Sequence, residues 1–463
     1  MLYFNREGMV IYGSIIALIF IIIVAKLLVS KYNAQAVLLF SGLIMLFIAL
    51  LLGFKLPALE KPTGSSFFDV FEYIKLAFSE TNANVGLLIM AIGGFVAFIE
   101  KNGASDALVY IALKPLSLMK KYPYILASLV IPIGQFLFIC IPSAAGLSLL
   151  LMASMFPIMV NLGVSKLSAA SVITATTAFG VGPASVITAR SVKIIETTAL
   201  SHFFDSQIQL MIPLTITLMI AFFYVNRYYD KKDRTELVVP IEEKKIVLKV
   251  PLYYSILPIL PLIILLLFSE LFSFFEKPIH LDTTVVMIIC VFIGLIMDLI
   301  RTRNVKLVLE SLQVFFNGMG DLFKNVVTLI ICAEIFSKGL ISLLFIDGLI
   351  ASSQSIGLGG IGISIVMSVM IFFASILMGS GNAAFFAFGP LVPKITNQLG
   401  ISTTSMILPM EFSASMGRTV SPISGVLIAT ANIAKVSAFD IAKRNSIPFG
   451  IAFLVMIIVH FIL

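Results

Sequence analysis

The chain has 463 residues and a formal net charge of +7, yet only 12% of its residues are charged and 59% are hydrophobic. A water-soluble globule of this size could not bury so much apolar surface, since its exterior must still face water. No lysine- or arginine-rich run is interleaved with aromatic residues, which argues against a nucleic-acid partner. The composition therefore indicates an integral membrane protein.

Apolar runs of about 20 residues recur along the chain, and each is long enough to cross a hydrocarbon core about 30 Å thick. The first run, from Met9 to Val29, is too long for the apolar part of a cleaved signal peptide, so it is predicted to be a retained helix. The ten predicted membrane spans cover residues 9–30, 35–55, 84–100, 168–200, 208–226, 251–273, 283–300, 323–337, 401–434 and 445–463.

Four apolar stretches are interrupted near their middles. Residues 123–163 and 360–399 contain small and polar residues at their centres and are predicted to form re-entrant hairpins, which enter and leave on one side of the membrane. Spans 168–200 and 401–434 contain Gly, Pro and Ser and are predicted to be broken helices. Non-helical backbone at membrane depth is tolerated where it lines a cavity, so these interruptions indicate a binding site.

One long hydrophilic segment, residues 227–250, is rich in lysine and arginine and is predicted to be a cytoplasmic linker. This orientation places both termini outside, with five crossings in each half of the chain. Because five is odd, the second half (251–463) must be inverted relative to the first (1–226). The predicted fold is an all-α polytopic membrane protein of two inverted repeats, a design typical of alternating-access carriers.

The hairpin tips carry the first set of candidate site residues. The first tip, residues 142–146, and the second, residues 379–383, combine small residues with serine or asparagine. The same spacing separates Ser143 from Ser380 and Gly163 from Gly400. Small residues let the backbone approach a ligand, while hydroxyl and amide groups supply polar contacts; the alternative is a packing turn. The predicted contacts are Ser143, Ser380 and Asn382 for substrate, and Gly381 and Asn382 for a coupling ion.

The helix breaks carry the second set. Proline and glycine unwind the chain at residues 174–185 and 413–424, leaving half-helix ends. The N-terminal end of a half-helix suits a carboxylate, and the C-terminal end offers carbonyls to a cation. The candidates here are Thr176, Thr177, Thr419 and Ser421 for substrate, and Ser424 for the coupling ion.

Arg418 lies in the second break, within an otherwise apolar span. An arginine at membrane depth costs at least about 2.5 kcal/mol on insertion scales, so it needs a partner. A guanidinium can bind a carboxylate through two parallel hydrogen bonds, which predicts that Arg418 binds substrate. The alternative is a structural ion pair with Glu411. Glu411 and Glu334 are also candidates for proton coupling.

Four other charged residues lie near these segments. Arg190, Lys193 and Glu196 follow the first break and are predicted to approach the outer interface and pair locally. Lys394, on the second arm of the second hairpin, is predicted to extend its amine to the interface. The cysteines and histidines are scattered, so neither a disulfide framework nor a structural metal site or soluble cofactor is predicted.

Residues 379–388, 417–425 and 439–444 resemble the DcuC family of anaerobic C4-dicarboxylate carriers, as do residues 146–161. The resemblance implies transport of succinate, fumarate or malate by efflux or exchange across a bacterial inner membrane. The wider ion-transporter superfamily implies a homodimer that works as an elevator, and hairpin tips that hold substrate and Na⁺. The first break departs from the pattern expected of close DcuC relatives.

Three functions stay open. The chain could carry C4-dicarboxylates, carry another small organic anion, or act as a cation/proton antiporter of the same superfamily; the coupling ion is Na⁺ or H⁺. An antiporter would need buried carboxylates near the breaks and no anion-binding arginine, which disfavours it here. An enzyme is not predicted, because the sequence contains neither an acidic or histidine metal cluster nor a histidine near either tip.

Overall fold

The structure is a computed structural model, which describes residues 6–119, 121–232, 248–269, 279, 281–355 and 357–461. Every regular element in these residues is helical, which confirms the prediction of an all-α chain. Most of the predicted cytoplasmic linker, residues 233–247, lies outside the described residues.

The described residues include ten helical segments long and apolar enough to cross a membrane. Their outer surfaces are also apolar: Ile212, Ile216 and Ile220, which share one face of a helix, are each more than 50% exposed. Such a face is stable against lipid and costly in water, which supports a multi-pass membrane protein. The ten segments are Gly8–Val29, Ala34–Leu51, Ser66–Asn102, Pro123–Cys140, Ala144–Asn161, Ala199–Lys232, Thr283–Thr302, Val305–Ser342, Gly360–Met378 and Ala438–Phe461.

Eleven α-helices are described before the linker and eleven after it. Those of the first half are α1 (Arg6–Val29), α2 (Ala34–Leu51), α3 (Ser66–Thr81), α4 (Leu87–Asn102), α5 (Ala104–Leu113), α6 (Pro123–Cys140), α7 (Ala144–Asn161), α8 (Lys166–Ala175), α9 (Val186–Ile195), α10 (Ala199–His202) and α11 (Ile208–Lys232). Those of the second half are α12 (Leu260–Leu267), α13 (Thr283–Thr302), α14 (Val305–Leu322), α15 (Thr328–Ser342), α16 (Phe345–Ser355), α17 (Gly360–Met378), α18 (Gly381–Phe388), α19 (Val392–Leu399), α20 (Thr403–Val420), α21 (Gly425–Ala434) and α22 (Ala438–Phe461).

Two of the predicted spans continue longer helices that begin before them. The amphipathic residues before span 84–100 form α3, which continues into α4 through a π turn at Asn82–Gly86. In the second half α14 continues into α15 through a π turn at Phe323–Val327. A π turn adds a residue to a helical turn without ending the helix. Helical structure therefore begins well before residues 84 and 323, where the predicted membrane spans start.

Both predicted hairpins are pairs of helical arms joined by a short tip. In the first, α6 leads to α7 through residues 141–143, and in the second, α17 leads to α18 through residues 379–380. The second arm of the second hairpin is divided, because a 3₁₀ turn at Gly389–Leu391 separates α18 from α19. The hairpins end at Gly163 and Gly400, whose φ angles of +97° and +66° favour glycine.

The two predicted helix breaks differ in length. The first separates α8 from α9 and leaves residues 176–185 outside both helices, close to the prediction. The second is shorter than predicted, since α20 continues to Val420 and only residues 421–424 separate it from α21. Pro422 has no N–H to continue the helix, which explains where α20 ends. Arg418 therefore lies in the last helical turn, not in unwound chain, and its predicted place is corrected.

The contacts divide the chain into two compact units. One consists of Met1–Leu87, Lys193–Glu196 and Phe323–Gly417; within it α15 packs along α2. The other consists of Leu88–Val192, Thr197–Leu322 and Arg418–Leu463; within it α11 packs on α22 and α6. Each unit contains helices from both sequence halves. The division into two repeats is thus a prediction about the order of elements along the chain, and it stays a prediction.

Candidate functional site

The two hairpin tips have the same helix cap. Ser143 Oγ accepts a hydrogen bond from the Gly146 N–H at 3.1 Å, and Ser380 Oγ accepts one from the Ala383 N–H at 3.3 Å. Serine is favoured at this position because its hydroxyl satisfies an N–H that has no partner within the helix. The Ser380 hydroxyl keeps its hydrogen for donation, and each helix N-terminus carries partial positive charge. Both tips are therefore suited to an anion.

The second tip begins in close contact with α20. A Cβ atom on Gly381 would lie 2.5 Å from the carbonyl oxygen of Ala414. Farther along α20, a Cβ on Gly417 would overlap the carbonyl oxygen of Phe372 in α17. Glycine at both positions thus lets the second hairpin and the helix before the second break approach backbone to backbone.

We expect Gly381→Ala to destabilise the protein by about 1–3 kcal/mol, because the added methyl group must displace backbone, not a flexible side chain. The measurement is the thermal unfolding temperature of the purified protein in detergent. Gly425→Ala is the matched control, since a Cβ there would meet nothing within 4 Å. Equal unfolding temperatures for the two variants would contradict the close packing at the second tip.

Thr176 and Thr177 lie in the first break, and both are buried. A Cβ on Gly134 of α6 would overlap the Thr176 side chain, so the break packs directly against the first hairpin. Thr176 Oγ1 donates to the Ile173 carbonyl at 2.6 Å, and Thr177 Oγ1 donates to the Thr174 carbonyl at 3.2 Å. These bonds use the hydroxyl hydrogens locally, so the two side chains can offer a ligand only acceptor oxygens in this arrangement.

Arg418 reaches the first break. Its Nη2 donates to the carbonyl oxygen of Thr177, and its guanidinium carbon lies 6.0 Å from the ring centroid of Phe138, near the end of α6. The structure thus brings together two residues that were predicted separately, Arg418 and Thr177. A guanidinium has five N–H donors, and both of these partners are uncharged. A ligand carboxylate would therefore add a charge-assisted hydrogen bond to the contacts that the described residues give Arg418.

Asn445, which the sequence analysis missed, joins the two breaks. Its side chain is fully buried in α22, and Nδ2 donates to Thr174 Oγ1 at 3.0 Å and to the Thr419 carbonyl at 2.9 Å. Thr174 and Thr419 lie in the last turns of α8 and α20, where carbonyls lack partners within their helix. One amide therefore holds the ends of both broken helices. An asparagine inside an apolar span was the available signal, since a buried amide needs partners.

Arg444, the residue before Asn445, forms a buried ion pair with Asp230. Arg444 Nη1 is 3.2 Å from Asp230 Oδ1, and both side chains are about 5% exposed. The hydroxyls of Ser165 and Ser168 donate to the same carboxylate at 2.7 and 2.6 Å. The Arg444 guanidinium also lies 4.7 Å from the ring centroid of Tyr229. The pair thus ties the beginning of α8 to α11 and α22, and so positions the helix that leads to the first break.

Several predicted ion-coupling candidates are buried. Glu411 and Ser424 are each 1% exposed, and Ser424 Oγ has no partner among the described hydrogen bonds. A buried hydroxyl oxygen without a partner is costly unless a ligand or water satisfies it. Glu334 in α15 accepts a hydrogen bond from Thr81 Oγ1 at 3.4 Å. Ser421 and Thr419 are also buried, whereas Asn382 at the second tip is partly exposed.

Lys394 forms an ion pair within the protein, and its predicted position at the interface stays a prediction. Its Nζ lies 2.9 Å from Asp347 Oδ2. Burial raises the pKa of Asp347, but the hydrogen bond and charge of Lys394 outweigh this and hold that pKa below its usual value. Lys193 and Glu196 are exposed near the end of α9, and their predicted approach to the outer interface stays a prediction.

A cavity of about 360 Å³ lies near the ends of α4 and α13. It is lined by Lys101, Asn102, Asp298 and Arg301 among others, and none of the lining residues is a predicted site residue. This polar cavity is therefore distinct from the tips and the breaks.

A family model described as "DcuC: C4-dicarboxylate anaerobic carrier" matches residues 12–463. The chain belongs to the DcuC family. It is 33% identical over 445 residues to "Anaerobic C4-dicarboxylate transporter DcuC" of Escherichia coli (strain K12), covering 96% of this chain and 95% of that one. It is 34% identical over 454 residues to "Probable anaerobic C4-dicarboxylate transporter DcuC" of Vibrio cholerae serotype O1, covering 96% of both. The resemblance noted in the sequence is confirmed, and the DcuC relatives are named as transporters, not enzymes.

A solved transporter shares the fold of this DcuC-family chain. The YdaH transporter of Alcanivorax borkumensis matches with a TM-score of 0.61 over 93% of this chain and 99% of that one. The two sequences are only 14% identical, so the match shows the fold alone. It supports a helical membrane transporter architecture.

Proposed function

We propose that this chain is a secondary active transporter of C4-dicarboxylates such as succinate, fumarate and malate. It moves them by efflux or exchange across the bacterial inner membrane through alternating access. The observation that carries the proposal is Arg418, a cation inside an apolar helix that contacts the first helix break. A cation placed there attracts an anion, and the DcuC relatives are named for C4-dicarboxylates.

In this proposal Arg418 binds one carboxylate of the substrate through two parallel hydrogen bonds. Thr176, Thr177, Thr419 and Ser421 line the same region. Ser143 and Ser380 are proposed contacts because both cap a helix N-terminus in the same way. Asn382 follows Ser380 and adds an amide. The arginine disfavours the cation/proton antiporter, while another small organic anion is the alternative substrate.

The two halves, residues 1–226 and 251–463, are proposed to be inverted repeats. Each contains a long helix interrupted by a π turn, then a hairpin whose tip carries a capping serine, then a broken helix. The π turns at Asn82–Gly86 and Phe323–Val327 support this because they occupy matching places, whereas a third π turn, at Phe203–Gln207, belongs to the first half. An elevator movement, a homodimer and external termini complete the proposal; the first two come from the superfamily resemblance and the third from the basic linker.

The coupling ion is proposed to be Na⁺ or H⁺. Ser424, whose Oγ has no partner among the described hydrogen bonds, is one candidate for ion coupling; Gly381, Asn382 and Glu411 are separate candidates. Hydroxyl, carbonyl and amide oxygens suit a hard cation, and a buried carboxylate suits a proton.

We expect succinate, fumarate and malate to raise the thermal unfolding temperature of the purified protein, since a ligand that binds only the folded state stabilises it. At a ligand concentration 100 times Kd the gain is about 2.7 kcal/mol. Butyrate, which has one carboxylate and the same number of carbons as succinate, is the control. Stabilisation by butyrate alone, or by none of these anions, would contradict the C4-dicarboxylate assignment.

A further inference from the structure

One carboxylate that the proposed substrate site does not use lies against the first hairpin tip. Glu100 is near the end of α4, and a Cβ on Gly146 would overlap Glu100 Oε1. The carboxylate thus lies against the first turn of α7, where only a glycine leaves room for it. The Ser143 hydroxyl is a hydrogen-bonding neighbour of this carboxyl group. Glu100 Oε1 itself is buried and has no partner among the described hydrogen bonds.

The surroundings of Glu100 act on its charge in opposite directions. The N-terminus of α7 favours a negative charge. Burial disfavours it, and so does Asp106 of α5, the charged group that acts on Glu100. Asp106 in turn interacts with Lys249. The first tip itself contributes a hydroxyl and backbone amides, which are uncharged. Glu100 is therefore a carboxylate whose ionisation depends on what else is bound at the tip.

A substrate carboxylate at the same helix N-terminus would compete with Glu100. Two carboxylates that share a site without a cation between them cannot both stay ionised, so one takes up a proton. We propose that Glu100 is the proton-coupling residue of the carrier: it binds a proton when a dicarboxylate occupies the first tip and releases it when the substrate leaves. This inference rests on the proposed function, and it predicts that substrate and proton move in the same direction.

The end of the helix that carries Glu100 borders a polar cavity. Lys101 and Asn102, which follow Glu100 in α4, line the polar cavity of about 360 Å³. A polar cavity of this size has room for several water molecules.

The test uses the full-length protein in proteoliposomes, with the membrane potential held at zero by potassium and valinomycin. Labelled-succinate counterflow, with succinate on both sides, measures carrier movement. Net uptake driven by an inward gradient of one pH unit measures coupling. One coupled proton supplies about tenfold accumulation in the wild type, whereas Glu100→Gln should accumulate succinate only to about the external concentration. Counterflow by Glu100→Gln should stay within about twofold of wild type, since glutamine keeps the shape and hydrogen bonding of the side chain.

Two further variants complete the experiment. Glu80→Gln alters an exposed glutamate in the same continuous helical segment and should behave as wild type. Glu100→Asp keeps a titrating carboxylate and should retain gradient-driven accumulation at a lower rate. This pair separates loss of the titrating group from disturbance of the helix.

Accumulation by Glu100→Gln equal to wild type would overturn the inference, as would wild-type accumulation driven by a Na⁺ gradient and not by a pH gradient. Loss of counterflow in a folded Glu100→Gln protein would also overturn it, because Glu100 would then serve binding or structure. Each of these outcomes leaves the proposed function standing if the wild type exchanges succinate. Absence of wild-type counterflow would instead overturn the proposed function, and this inference with it.

Discussion

Arg418→Ala is expected to lower labelled-succinate counterflow in proteoliposomes at least about thirtyfold, because truncating one partner of a buried, hydrogen-bonded charge pair typically costs about 2–5 kcal/mol. The guanidinium already meets the Thr177 carbonyl and the Phe138 ring, which orient it. A dicarboxylate would supply the missing negative charge. Alanine removes both the positive charge and the paired N–H donors of the guanidinium.

Two control variants show which property of Arg418 matters. Arg418→Lys keeps the charge but loses the paired donors, so it should retain part of the activity. Arg227→Ala removes an exposed arginine of α11 and should match the wild type. Unchanged exchange by a folded Arg418→Ala protein would leave the chain a carrier but assign Arg418 to structure alone, as a side chain that fastens α20 to the first break.

The second large effect is expected on stability, at the buried pair of Asp230 and Arg444. Asp230→Ala leaves a buried guanidinium without its carboxylate and also removes the acceptor for Ser165 and Ser168. Breaking a buried pair in this way costs about 3–5 kcal/mol, so the thermal unfolding temperature in detergent should fall clearly. The matched control is Asp321→Ala, which alters an exposed aspartate of α14 and should leave the unfolding temperature near that of the wild type.

A double variant tests whether the two residues act as a pair. In the Asp230→Ala background, Arg444→Met should lower the free energy of unfolding much less than it does in the wild type, because the carboxylate partner of Arg444 is already absent. Additive losses of unfolding free energy would show that each residue contributes separately to stability. An unfolding temperature of Asp230→Ala equal to that of the wild type would contradict the structural role given to this pair.

The interruptions of the apolar stretches could be predicted from sequence because their physical signal is strong. A proline or a cluster of glycine and serine at membrane depth removes helical hydrogen bonds, and such groups are costly in lipid unless the protein satisfies them. Both hairpin tips and the first break were predicted close to where they lie. The second break was predicted too long because the polar residues before Pro422 stay helical: Ser413 Oγ, for example, donates to the Pro409 carbonyl of its own helix at 2.6 Å.

The contacts that organise the site could not be predicted, because they join residues far apart in sequence. Arg418 was paired with Glu411 or a ligand in the sequence analysis, whereas the structure gives it the carbonyl of Thr177. A backbone carbonyl that accepts a hydrogen bond cannot be recognised from the type of residue that carries it. Glu100 and Asn445 were missed for a related reason: a single polar residue inside or at the end of an apolar span looks the same whether it meets lipid headgroups or another helix.

The π turns that join α3 to α4 and α14 to α15 were also beyond sequence analysis. A π turn contains no required residue type, and it changes only the phase of the hydrophobic pattern by one position. The amphipathic stretch and the span that follows it therefore appeared as separate elements. Their continuity makes each a single long helix.

The most direct test of the central claim is labelled-succinate counterflow by the purified wild-type protein in proteoliposomes, with unlabelled fumarate, succinate or butyrate inside. We expect saturable uptake that depends on internal fumarate or succinate and is not supported by internal butyrate. Absence of exchange by folded protein, or exchange only against a monocarboxylate, would contradict the assignment of this chain as a C4-dicarboxylate carrier.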